Sequence, residues 1–103
     1  MSDWKLELEQ GLIQTPYRHF TVMADGSSPR GLTDYQCPPG RAWMSVMTWA
    51  TDEEESINMV RVVGEHLGFE IDGQIEVKAA EPEQPPHEAP YLYAIEFTPY
   101  TDN

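Results

Sequence analysis

Hydrophobic and polar residues between positions 41 and 77 follow three successive patterns, which predict a strand, a helix and a hairpin. In residues 42–50, apolar side chains occupy both of the alternating faces. This pattern is typical of a strand in the middle of a sheet that is covered on both sides. We therefore expect this strand at the centre of the fold, with the helix that follows it packed against one face.

The helix is predicted over residues 52–67. Thr51 and Glu54 have the spacing of a capping box, in which each side chain accepts a hydrogen bond from a backbone N–H that is otherwise unpaired. Apolar residues then recur every three or four positions, which predicts one buried face. They are Ile57, Val60, Val63 and Leu67, with Met59 and Val62 widening the stripe. Gly68 is suited to the left-handed position that ends many helices.

A hairpin is predicted directly after the helix. Phe69 and Ile71 alternate with charged residues, and Ile75 and Val77 resume the alternation. The intervening Asp72-Gly73 pair is suited to the two positive-φ positions of a type I′ turn. Two short antiparallel strands are therefore expected here.

The residues before position 41 predict two strands and a loop. Trp4, Leu6 and Leu8 alternate with charged residues, which favours a first strand, with a short helix from Asp3 as the alternative interpretation. Residues 17–24 predict a second strand. Residues 25–40 are rich in Gly and Pro and predict an irregular loop.

The residues after position 78 predict one more loop and one more strand. Residues 80–90 contain four prolines and predict an extended acidic loop, since proline lacks an N–H and fixes φ. Residues 91–98 alternate as a last strand, which Pro99 ends. The whole pattern predicts one domain over residues 1–103, with a two-layer α+β fold in the order β-β-β-α-β-β. Its sheet has about five mostly antiparallel strands, with the main helix on one face.

The net charge of −12 lies almost entirely in the second half of the chain. Residues 51–103 hold thirteen acidic residues and two basic ones, Arg61 and Lys78. Such a field disfavours binding to nucleic acid and to anionic membranes, and it attracts basic partners. The alternative interpretation is that the charge only keeps a small protein soluble.

Two clusters of carboxylates are the candidate partner-binding residues. They are Asp52, Glu53, Glu54 and Glu55 at the predicted helix start, and Glu81, Glu83 and Glu88 in the proline-rich loop. The first cluster also has a purely structural interpretation, because acidic residues in the first turn of a helix oppose the positive end of its dipole.

Residues with specialised chemistry form no motif in this sequence. His19, His66 and His87 are isolated from one another and from Cys37, so neither a metal site nor a cofactor is predicted. A single cysteine allows no internal disulfide and is typical of a reducing compartment, which predicts the cytoplasm. No apolar run approaches the roughly 20 residues of a membrane span, and with eighteen acidic residues no particular pair can be nominated as catalytic.

These observations favour a small, acidic, cytoplasmic protein-binding domain without enzymatic activity. Its size, acidity and α+β build are shared with many small bacterial immunity and inhibitor proteins, a likeness of composition and fold class only. In this hypothesis the acidic surface steers a basic partner into place and exposed aromatic side chains dock it. One alternative is a small-ligand or enzymatic domain with a pocket between helix and sheet, and another is a self-associating subunit of a homo-oligomer.

Overall fold

The fold is α+β, with one antiparallel four-stranded sheet and one main helix. The computed structural model describes residues 3–100. The elements in chain order are α1 (Trp4–Glu9), β1 (Arg18–Ser28), a 3-10 turn (Thr33–Tyr35), β2 (Gly40–Ala50), α2 (Glu53–Leu67), β3 (Glu70–Ala79) and β4 (Tyr91–Pro99). The strands lie in the order β3-β1-β2-β4.

β1 and β2 form the centre of the sheet. They pair along their whole lengths, from Arg18 opposite Ala50 to Ser28 opposite Gly40. The prediction that residues 42–50 lie in mid-sheet is therefore confirmed. The irregular loop predicted from residue 25 begins later, because β1 continues to Ser28.

The two faces of β2 are covered very differently. On the helix side, Ala42, Met44 and Val46 are fully buried, whereas Trp43 and Met47 on the other side are only partly buried. The prediction of cover on both sides therefore holds only at the Trp49 end of the strand, where residues 80–90 lie over it.

The predicted main helix is confirmed, with its cap shifted by one residue. Asp52, not Thr51, is the N-cap: its carboxylate accepts a hydrogen bond from the Glu55 N–H at 2.8 Å, and the Glu55 carboxylate accepts one from the Thr51 N–H at 2.7 Å. An Asp-x-x-Glu box overlaps the predicted Thr-x-x-Glu box, and the extended backbone of Asp52 favours the former. Gly68 ends the helix with φ of 94°.

Small side chains bring α2 close to the sheet. The fully buried helix residues are Ser56, Val60 and Gly64. A Cβ atom at Gly64 would lie 3.3 Å from both the Ile71 side chain and the Phe69 carbonyl oxygen, so glycine lets β3 approach the helix. Val62, by contrast, points outward and is 69% exposed, so it does not widen the buried stripe as predicted.

The first predicted strand is wrong, and the sheet has four strands rather than five. Residues Trp4–Glu9 form the short helix that was the alternative interpretation, and none of its residues is buried. Alternation of apolar residues produces a strand only where a neighbouring backbone completes its hydrogen bonds. Within residues 3–100, no strand pairs with this segment.

The predicted hairpin at Asp72-Gly73 is also wrong, since Glu70–Ala79 is one continuous strand. Neither residue adopts a positive φ. Instead, residues 72–74 form a bulge opposite Asp25 of β1. Arg41 bridges the carboxylates of Asp25 and Asp72, each at 2.9 Å, and a Cβ atom at Gly73 would collide with Asp25. Asp72 and Gly73 therefore form part of a bulge rather than a turn.

Candidate functional site

An open groove of about 780 Å³ lies between α2 and the beginning of β4. It exists because α2 packs mainly against β3, β2 and β1 and makes its fewest contacts with β4. Its apolar part is formed by Met59, Val62 and Val63 of the helix and by Leu92 of β4. Val62 is 69% exposed, whereas Met59, Val63 and Leu92 are only partly exposed.

Three of the predicted carboxylates border one end of this groove. They belong to Asp52, Glu54 and Glu55. Among the described residues that line the groove, His66 is the one basic side chain and no Lys or Arg is found, so the groove combines apolar side chains with a mainly negative rim. Asp52 and Glu55 also cap the helix, whereas Glu53 lies outside the groove.

The remaining three predicted carboxylates, Glu81, Glu83 and Glu88, are exposed on residues 80–90, which we name the strap. The strap lies over the face of the sheet opposite to α2, at the end where β2 leads into the helix. The structure therefore brings the predicted acids to one end of the sheet, but it divides them between its two faces.

The strap is held by side chains of the sheet that donate to its backbone carbonyl groups. The Trp49 indole N–H donates to Gln84 at 2.8 Å, the Tyr91 hydroxyl donates to Pro85, and the Tyr17 hydroxyl donates to Glu88 at 3.1 Å. His87 of the strap stacks on Tyr91 with ring centroids 3.9 Å apart. These contacts fix the strap on the sheet, although its composition alone is typical of a free linker.

His19 joins the strap to the sheet and is 7% exposed. Its Nδ1 lies 2.9 Å from the Ala80 carbonyl oxygen, and its Nε2 lies 2.7 Å from the Tyr93 hydroxyl. That hydroxyl also accepts hydrogen bonds from the N–H groups of Glu83 and Gln84. Because a carbonyl can only accept, Nδ1 carries the proton; the Tyr93 hydroxyl then donates to an unprotonated Nε2.

The neutral imidazole thus satisfies every partner of His19. Burial lowers the pKa of His19 below its ordinary value of 6.5, and the hydrogen bond to Ala80 and the carboxylates of Glu83 and Glu81 only partly oppose this effect. In the sequence, His19 is isolated from the other histidines and from Cys37. Its partners lie 61 and 74 positions away, so no local pattern could indicate them.

A second cavity, of about 870 Å³, lies between the end of α2, the start of β3 and residues 29–31. Its lining mixes the cationic Arg30 and Arg61 with the anionic Glu65 and Glu70. The lining of this cavity therefore favours neither an anionic nor a cationic ligand.

Neither metal-binding nor membrane-spanning features are found in the part of the chain that the structure describes. No three His, Cys, Asp or Glu side chains in residues 3–100 are grouped to hold a metal ion. No helix in that range is both long and apolar enough to cross a bilayer. Cys37 is buried, with its Sγ 3.8 Å from the Ser28 hydroxyl.

The exposed apolar surface next to the acidic rim is aliphatic rather than aromatic. Trp49 is 3% exposed under the strap, and Trp43 stacks on Tyr100. Tyr91 is the aromatic residue that lines the groove with Asp52 and Glu54, and it is only partly exposed, so docking by exposed aromatic side chains stays a prediction.

Comparisons of the chain with protein-family models, with curated proteins and with solved structures found no match.

Proposed function

We propose that this chain is a small acidic protein-binding domain whose groove between α2 and β4 takes a basic amphipathic segment of a partner protein. The observation that carries this proposal is the position of Val62. It is a valine 69% exposed on a helix whose other apolar residues are at least partly buried, and it lines the same groove as three carboxylates. Exposed apolar surface rimmed by polar groups is typical of interaction sites.

The apolar part of the groove supplies the affinity. Val62, Met59 and Leu92 lie along one flank of the helix and the adjoining strand. Covering apolar surface contributes about 25 cal/mol per Å², so burying an exposed valine and its neighbours stabilises a complex by a few kcal/mol. An amphipathic segment laid along α2 presents the apolar stripe that this surface requires.

The carboxylates supply the selection for a basic partner. Asp52, Glu54 and Glu55 border the groove, and the chain carries a net charge of −12. Both attract cationic side chains and accelerate encounter with them. A cytoplasmic inhibitor or immunity protein that covers a basic surface is one protein that works in this manner, and the size and acidity of the chain support that class.

A matched pair of charge variants tests the site. The probe is a synthetic amphipathic peptide of leucine and lysine, of about 15 residues, because α2 has 15 residues and a helical residue rises about 1.5 Å. Glu54→Gln is expected to weaken its binding about two- to fivefold, as for an exposed ion pair. Glu53→Gln makes the same charge change in the same turn but outside the groove, and it is expected to weaken binding less than Glu54→Gln.

Val62→Gln tests the apolar contribution. Gln retains helix propensity and Val62 is already exposed, so the fold should tolerate the change. The affinity for the peptide is expected to fall about tenfold, which corresponds to about 1.4 kcal/mol. Amide chemical-shift mapping locates the peptide. A footprint on the strap or on the face of the sheet away from α2, or equal effects of Glu53→Gln and Glu54→Gln, would overturn the proposal.

A further inference from the structure

The hydrogen bonds around His19 are best satisfied by its neutral form. Nδ1–H donates to the Ala80 carbonyl, and Nε2 accepts from Tyr93, whose hydroxyl oxygen is already used by two strap N–H groups. Protonation places a second N–H at Nε2, directed at the Tyr93 hydroxyl. Tyr93 must then turn its own proton away and accept a third hydrogen bond, so the contact that holds Glu83 and Gln84 is weakened.

We propose that His19 is a pH-sensitive latch, which holds the strap closed over the sheet when neutral and releases it when protonated. The strap depends on directional hydrogen bonds with Trp49, Tyr91 and Tyr93 rather than on deep burial, since Glu83 and Gln84 are exposed. Such a segment opens at low free-energy cost compared with the core. A few hydrogen bonds centred on one histidine can therefore control it.

The charged groups around His19 are few, and they come from identifiable elements. The strap contributes the carboxylates of Glu81 and Glu83, which favour the protonated ring. β4 contributes the Tyr93 phenol, β2 contributes the uncharged Trp49 ring at 5.0 Å, and on β1 itself the neighbouring Arg18 is exposed. Burial outweighs the two carboxylates, and the pKa of His19 is lower with the strap closed than its ordinary 6.5.

The direction in which pH shifts strap opening follows from the difference in the pKa of His19 between the closed and the open strap. A strap that opens returns His19 to solvent, where its pKa is close to 6.5. Above that pH both states carry a neutral ring and the closed strap keeps its full stability. As the pH falls from 6.5 towards the lower pKa of the closed state, the open state binds the proton more readily. The ratio of open to closed strap then rises by up to about tenfold per pH unit.

The latch also acts on the groove, and this part rests on the proposed function. Tyr91 lines the groove, while its hydroxyl donates to Pro85 and its ring stacks on His87 of the strap. Tyr91 is also the first residue of β4 and follows the strap directly, so release of the strap loosens the start of β4 beside the groove. Partner binding should therefore weaken on acidification beyond the effect of carboxylate protonation.

Hydrogen exchange of the full chain between pH 8 and pH 5 tests the latch without any partner. Exchange rates are corrected for their intrinsic pH dependence and followed for the Glu83 and Gln84 amides and the Trp49 indole N–H. Protection of these three groups is expected to fall by up to tenfold per pH unit below about 6.5. The buried Val60 amide of α2 should keep its protection over the same range.

His19→Gln is the matched variant, because the Gln side chain can donate to Ala80 and accept from Tyr93 but does not titrate. Its strap protection is expected to be independent of pH. His87→Gln removes the ring that stacks on Tyr91, so it is expected to lower strap protection at every pH, and the further fall below about pH 6.5 should remain. Should His19→Gln not fold, nitrogen NMR of the wild-type ring gives the tautomer and pKa of His19 directly.

The outcomes separate the two proposals. Strap protection that does not change with pH, or a His19 that titrates at or above 6.5, would overturn the latch. The basic peptide is then titrated at pH 7.5 and pH 5.5: wild type should lose more affinity than His19→Gln. If wild type and His19→Gln lose the same affinity between these pH values, the latch does not act on the groove. Absence of peptide binding to either protein at both pH values would remove the proposed function while the exchange result still stands.

Discussion

The two faces of the sheet are covered by different kinds of interaction. On one face, α2 buries a continuous apolar layer, with Val22, Met44 and Val46 fully excluded from solvent. On the other face, the strap covers only one end, and hydrogen bonds from His19, Trp49 and the tyrosines to backbone groups hold it. The first face accounts for stability, and the second can respond to its surroundings.

The difference follows from how each interaction depends on conditions. Burial of apolar surface has no direction and no titrating group, so it changes little between pH 5 and pH 8. A hydrogen bond contributes about 0.5–1.5 kcal/mol, and the one between the His19 Nε2 and the Tyr93 hydroxyl exchanges donor and acceptor when the ring is protonated. A protein that uses one kind on each face can rearrange one side without unfolding the other.

The largest expected difference between the two faces of the sheet comes from replacing one methionine on each face by alanine. Met44 is 0% exposed beneath α2, and Met23 is 38% exposed on the other face. Met44→Ala is expected to lower the free energy of unfolding by about 2–5 kcal/mol, because it removes a fully buried side chain and leaves a cavity. Met23→Ala should cost less than about 1 kcal/mol. Urea denaturation measures both, and equal losses would show that the second face is also core.

The next test concerns a polar contact under the helix. Ser56 and Thr48 are both fully buried, and their hydroxyl oxygens lie 2.7 Å apart. Ser56→Ala is expected to cost about 1–3 kcal/mol, because it removes the hydrogen-bond partner of the buried Thr48 hydroxyl. Ser56→Ala combined with Thr48→Val should be less destabilising than Ser56→Ala alone. Urea denaturation of wild type, both single variants and the double variant gives the four free energies of unfolding. If the losses of the two single variants add up to the loss of the double variant, the expectation is wrong.

A smaller effect is expected on the strap side. Tyr93→Phe removes the acceptor of the Glu83 and Gln84 N–H groups, both of which can then bond to water. We expect the free energy of opening the strap to fall by about 1 kcal/mol, with little change in the free energy of global unfolding. Faster hydrogen exchange should be confined to strap amides, with Val60 unchanged. A loss as large as that of Met44→Ala would mean that the strap belongs to the core.

The smallest effect is expected from the acidic pair at the β3 bulge. The hydrogen bond from Tyr100 lowers the pKa of Asp25, and that from Arg41 lowers the pKa of Asp72, both from 3.8. Their contribution to stability is therefore fully present above pH 3.8 and is lost as the pH falls through the lower folded values. Melting temperatures measured from pH 5 to pH 2 should show a shallower acid loss for Asp72→Asn than for wild type. If the melting temperatures of Asp72→Asn and wild type fall in parallel with pH, the Asp72 carboxylate does not contribute to stability.

The elements that could be predicted from the sequence are those whose signals agree at every level. α2 has a cap, an apolar stripe and a terminal glycine that all indicate the same helix, and β4 alternates without a competing pattern. Trp4–Glu9 has only alternation, and no strand lies beside it. At Asp72-Gly73 the residues suit a turn locally, but the strand β1 is long enough to pair on both sides of them.

The candidate site could be predicted only in part, for a similar reason. The carboxylates of Asp52 and Glu54 were visible as a charged run, whereas the groove beside them depends on how α2 leans across the sheet. That position is set by Ser56 and Gly64, whose small size allows close approach. A count of apolar residues treats these two positions as gaps in the stripe rather than as its centre.

The irregularities of the sheet have a consequence for the behaviour of the protein at high concentration. Both bulges lie in the outer strands: one spans residues 72–74 of β3, and the other places Ala94 and Ile95 of β4 opposite Val46. Unpaired outer strands invite backbone pairing with other molecules and the growth of fibres, and bulges interrupt the regular ladder that such growth requires. The β3 bulge, which takes the place of the predicted hairpin, and the β4 bulge therefore both disfavour aggregation through the outer strands.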